Sequence, residues 1–147
     1  MFVPDAPETD DKQTESLRSN RSRYWFYRFS YGVPRIDADL VPWFPSLVGK
    51  RWIITDSTQS RGSVSVNSVV LEHVNGDEKQ AMAYALRVGS FVTPSFSLAK
   101  ILQIPAKLRG ENLFEIVVLT TPCRSDCAQV AKRTAEDLVR IISLNVP

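Results

Sequence analysis

The sequence predicts an α+β fold, a mainly antiparallel sheet of about five strands with a C-terminal amphipathic helix packed on one face. Three observations lead there. Apolar runs of strand length recur from residue 23 to residue 121, Asn75-Gly76 stands between two of them, and residues 127–142 repeat apolar positions at helical spacing.

The elements follow in chain order. Residues 1–20 are expected to be an acidic, flexible tail, and residues 21–147 a single domain. The first 17 residues hold Asp5, Glu8, Asp10, Asp11 and Glu15 against Lys12 alone, a net of −4 that leaves +6 on the rest of the chain. "RYWFYRFSY" at 23–31 reads as a strand, because aromatic rings suit a pleated, half-buried surface. Alternation sets Trp25, Tyr27, Phe29 and Tyr31 on one face, and Tyr24, Phe26 and Arg28 on the other. Pro34, Pro42 and Pro45 make 32–50 loop-like. "RWIITDS" at 51–57 is a short strand, and a longer one runs from Gly62 to Val74. Val64 and Val66 lie on one side of it while Val69 and Leu71 lie on the other, a switch that a bulge or a sharp twist near Asn67 and Ser68 would explain.

Asn75-Gly76 predicts a type I′ hairpin turn, which needs positive φ at both central residues. The returning strand, "KQAMAYALRVGSFV", sets Met82, Tyr84, Leu86 and Val88 against Ala81, Ala83, Ala85 and Arg87. A short helix over "SFSLAKILQIP" ends at Pro105, and "LFEIVVLTT" at 113–121 is apolar enough for a central strand covered on both faces. The last helix starts after Thr121-Pro122 or, one turn later, after Ser125-Asp126. Its stripe is Cys127, Val130, Ala131, Thr134, Leu138, Ile141 and Ile142. Lys132–Glu136, Arg133–Asp137 and Glu136–Arg140 are four apart and opposite in sign, so the outer face is expected to neutralise itself.

Composition narrows the function classes. Hydrophobic residues at 44% and charged residues at 23% are ordinary globular usage, which argues against wholesale disorder. No apolar run reaches the roughly 20 residues of a membrane span, and the acidic N-terminus lacks a signal-peptide core. An intracellular protein without membrane association is therefore expected. Two cysteines are too few for a disulfide framework.

Catalytic signatures are sparse. Cys123 and Cys127 stand at a helix N-terminus, where the dipole lowers a thiol pKa, and His73 is the sole candidate base. A cysteine-dependent enzyme built on Cys123 and His73 is the third reading. Asp37 and Asp39 make a poor cation cage without a third oxygen ligand. No glycine-rich phosphate loop occurs, and neither metal nor cofactor is expected.

The aromatic-basic stretch carries the other two readings. Residues 18–35 hold five arginines and six aromatic rings with no acid among them. The preferred reading is a non-enzymatic protein-binding accessory or assembly subunit, with Trp25, Tyr27, Trp43 and Phe44 contacting another protein or a second copy. Aromatic rings with arginine are enriched at such interfaces. The alternative is a module for RNA or single-stranded DNA, with Arg21, Arg23, Arg28, Arg51 and Arg61 on phosphates and Tyr24 and Phe26 stacking on bases.

Overall fold

Two segments, 79–88 and 114–123, carry apolar or small side chains at almost every position, a pattern that suits the middle of a sheet covered on both faces. The computed structural model describes residues 11–19, 22–31, 50–60, 64–95 and 114–144, with Pro4, Val48, Leu98, Ala99, Ile101, Leu102 and Leu108 singly. These form strands β1 (Asp11–Ser19), β2 (Ser22–Tyr31), β3 (Trp52–Ser60), β4 (Val66–His73), β5 (Lys79–Val88), β6 (Phe91–Thr93) and β7 (Phe114–Cys123), and helix α1 (Cys127–Leu144). The sheet runs β1-β2-β7-β5-β4-β3, with β6 also paired to β5, and every described pairing is antiparallel. The α+β class is as expected.

The two apolar segments are β5 and β7, side by side in register from Lys79↔Cys123 to Val88↔Phe114. Helix α1 lies across β5, β4 and β7. Under it, Ala81, Ala83 and Ala85 are completely buried and leave room for Ala131, Ala135, Leu138 and Ile142. The alternating alanines of β5 thus let the helix approach the sheet closely. On the opposite face Tyr27, Phe29, Val69, Leu71, Met82, Tyr84, Leu86, Ile116 and Val118 form a second core, which also takes in Val48 and Ala99. Leu98, Ala99, Ile101 and Leu102 are helical, and the Ser95 hydroxyl caps them by accepting from the Leu98 N–H.

Several expectations change. Residues 11–19, assigned to the acidic tail, are β1 and pair with β2 from Asp11↔Ser30 to Ser19↔Ser22. "DKQTESLRS" has no apolar alternation because it is an edge strand, where charge protects against further pairing. The expected bulge at Asn67 and Ser68 is not there, and both residues pair regularly with β3 and β5. The apolar side switches along the sequence because β4 is buried on both faces. Val66, Ser68 and Val70 look toward α1, and Ser68 meets that burial by donating its hydroxyl to the Thr58 carbonyl. The irregularity lies in β3, where the register shifts between Ile54 and Asp56.

The hairpin after β4 is present with a different turn. The Gly76 N–H bonds to the His73 carbonyl and the His73 N–H to Glu78, so Val74 and Asn75 are central and Gly76 follows at φ 75°. The segment read as one strand to Val92 is broken by a turn at Gly89, φ 59°, which sends β6 back along β5. Helix α1 begins after Asp126, whose carbonyl accepts from the Val130 N–H, and Pro122 belongs to β7. The ion pairs described on the helix are Arg133–Asp126 and Arg140–Asp137, not the pairs expected at a spacing of four.

Two measurements test this packing. Ala83→Leu forces volume into the packed contact between sheet and helix and is expected to lower stability in urea unfolding by about 1–3 kcal/mol. The second is pH dependence. Burial raises the phenol pKa of Tyr84 above 10.0, partly offset by a hydrogen bond from Asn67 (2.7 Å to the hydroxyl), and burial likewise raises that of Tyr27. Below 10 both phenols are neutral folded and unfolded. Above it the unfolded chain ionises first, so stability is expected to fall as pH rises from 10 through the folded values. Tyrosinate absorbance should show these two phenols ionising at higher pH in the folded protein than in the unfolded chain.

Candidate functional site

Strand β2 has aromatic residues on both faces, and both faces are covered. Tyr24 and Phe26 are buried under α1, and Tyr27 is 2% exposed in the opposite core. Three of the rings proposed for partner contact or base stacking therefore hold the fold together. Trp25 is half-buried, with the exposed Arg23 guanidinium over its ring at 5.3 Å. Trp43, Phe44, Arg21, Arg61, Asp37 and Asp39 lie outside the described residues.

Among the described residues, the arginines Arg23, Arg28 and Arg51 do not form one track. Arg23 and Arg28 are on opposite faces of β2 by alternation, and Arg51 precedes β3 at the far edge of the sheet. Four inter-strand spacings, about 19 Å, separate β2 from β3. Arg28 is also engaged. Glu115 on β7 faces Arg87 directly across the β5 pairing, with Arg87 Nη1 3.5 Å from one carboxylate oxygen and Arg28 Nε 3.8 Å from the other. The carboxylate is 6% exposed, and Phe26, Val92, Ile141 and Ile142 line the space around the three charges. Arg28 also stands over the Phe26 ring at 5.6 Å. A guanidinium held in this way is a poor contact for a phosphate backbone.

Cys123 and His73 are not brought together. Cys123 is bonded to Cys127 across the junction of β7 and α1, with 5.3 Å between the Cα atoms. Bridged in this way, Cys123 does not carry the free thiol that the cysteine-dependent reading requires. His73 lies two strands away, about 10 Å at sheet spacing, and on the other face. There its ring meets Trp52 edge-on at 5.1 Å, and its Nδ1 accepts from the Asn75 N–H. Among the described residues no three of His, Cys, Asp and Glu stand close enough to hold a metal ion, and no helix is long and apolar enough to cross a membrane.

The surface that the strand pattern did not single out is the β3 edge. Residues 53–59 are all exposed, although their neighbour β4 is buried on both faces. Ile53 is 54% exposed, Ile54 37%, and Val74 beside them 52%. Arg51 and the half-buried Trp52 begin the same stretch, and the Arg51 carbonyl accepts from the Val74 N–H. Helix α1 barely reaches β3, and a cleft of about 280 Å³ remains between them. Asp56, Thr58, Ser68, Ala128, Ala131 and Lys132 line it. The signal was present in "KRWIITDSTQS", an arginine and tryptophan followed by β-branched residues and one acid. Its position at an edge comes only from the strand order.

Glu115→Gln is expected to destabilise the fold by about 3 kcal/mol in urea unfolding, because it leaves two largely buried guanidiniums without their counter-charge. Against family models, curated proteins and solved structures, the chain gives no match in any of the three comparisons.

Proposed function

We propose that the protein is a non-enzymatic binding domain, an accessory or assembly subunit whose partner adds an extended segment to β3. One observation carries this reading: residues 53–59 are exposed throughout, with β-branched side chains and Asp56 as their one charge. An edge strand of this kind offers unpaired N–H and C=O groups as a template, and a partner strand satisfies them. Arg51, Trp52, Ile53, Ile54 and Val74 supply the aromatic, arginine and aliphatic contacts common at interface centres. The cleft beside α1 receives side chains from the helix-facing side of the added strand.

Among the described residues, the nucleic-acid reading keeps the exposed Arg23 and Arg51 and the half-buried Trp25. It loses support from the burial of Tyr24 and Phe26, from the Arg28–Glu115 contact and from the separation of Arg23 and Arg28 from Arg51.

Peptides displayed on phage and selected on the immobilised protein test the proposal. Binding is expected to fall by at least about tenfold on Ile54→Lys, which places a charge on the edge, and to survive Trp25→Ala. Loss on Trp25→Ala alone would move the interface to β2. Tight binding of RNA or single-stranded DNA that falls by orders of magnitude between about 50 and 200 mM salt would replace this reading with the nucleic-acid one.

A further inference from the structure

The Cys123–Cys127 bridge ties the last residue of β7 to the first residue of α1. Both ends are already held without it. Cys123 pairs with Lys79 in the sheet, and the first turn of α1 is closed by the Val130 N–H on the Asp126 carbonyl. A bridge across so few residues also removes little freedom from the unfolded chain, since that effect grows with the loop enclosed. The fold therefore depends little on this bond.

Its surroundings suit reaction. Both cysteines are half-buried, and Pro122, Arg124, Ser125 and Asp126 around them are exposed, so a small thiol has an approach to the sulfurs. Lys79, also exposed, lies directly opposite Cys123 and beside Glu72 on its other flank. Cys127 stands where the backbone N–H groups of an 18-residue helix point outward, a position that stabilises a thiolate. The acid next to it, Asp126, is 3.8 Å from Arg133.

We propose that this bridge is a thiol–disulfide exchange site that accepts a low-molecular-weight thiol on Cys123 and releases Cys127. The thiolate, drawn by Lys79, attacks Cys123 Sγ. A new S–S bond forms to the incoming sulfur, the Cys123–Cys127 bond breaks, and its electron pair leaves on Cys127 Sγ as a thiolate at the helix N-terminus. The thiol of lower pKa is the better leaving group, which sets this direction. A second thiolate then attacks the incoming sulfur, yielding the external disulfide and a Cys123 thiolate. Two external thiols are oxidised and the protein bridge is reduced by two electrons. Oxidised thiol drives the reverse.

Glutathione is the probe. The native protein, followed by mass spectrometry after rapid alkylation, is expected to be reduced by glutathione at a rate within about tenfold of that in concentrated denaturant. Its circular dichroism should stay native throughout. In native buffer, Cys127→Ser is expected to take up one glutathione at Cys123 from the oxidised form, and faster than Cys123→Ser takes it up at Cys127. Lys79→Glu should slow the reaction at low salt, with the difference shrinking at high salt. A bridge that reacts only after unfolding overturns the proposal, as does a Cys127→Ser variant that stays unmodified while folded. Faster uptake at Cys127 overturns the assigned direction.

Discussion

The structure depends on the pairing of β5 with β7, two ten-residue strands buried on both faces. Their contact joins two halves of the sheet, β1 and β2 beyond β7, and β4 and β3 beyond β5. Small residues on one face and large ones on the other settle which face takes the helix. Ala81, Ala83 and Ala85 leave room for a cylinder close to the sheet. Met82, Tyr84 and Leu86 fill the thicker core on the other side, together with Tyr27 and Phe29. Interiors pack at crystal-like density, so this division of volume between the faces is a constraint on the whole domain.

The same demand for filled, satisfied space explains why the aromatic-basic stretch is mostly interior. Rings on both sides of β2 are needed by both cores, and Arg28 is held against Glu115. A buried carboxylate between two guanidiniums adds little net stability by itself, yet removing one member exposes the full desolvation penalty of the others. Its consequence for function is indirect, because it withdraws an arginine from the surface that sequence composition had assigned to a ligand.

The two sheet edges differ in chemistry. β1 carries Asp11, Lys12, Glu15 and Arg18, a density of charge that discourages another strand from adding. β3 carries Asp56 alone over 52–60, with Ile53, Ile54 and Thr55 among its exposed residues. The shift in register between Ile54 and Asp56 is the other protective feature described there. One strand inward, Val66 and residues 68–71 of β4 are buried, so the exposure of β3 does not reflect a general loosening of that half of the sheet. This asymmetry is the physical reason for proposing β3, rather than β1, as the edge that accepts a further strand.

Much of this was already fixed by sequence. Period-two and continuous apolar runs determined β2, β3, β4, β5 and β7, and the stripe from Cys127 to Ile142 determined α1, because side-chain periodicity is a local property. Polar β1 and three-residue β6 carry no such period and are strands only because β2 and β5 offer them partners. The bulge was misplaced for a related reason: an apolar switch along one strand looks alike whether the strand kinks or is buried twice. Which aromatics face outward, which arginine meets Glu115, and that "RWIITDSTQS" lies at an edge were decided by tertiary structure alone. Each depends on strand order, and strand order is set by contacts between residues far apart in the chain.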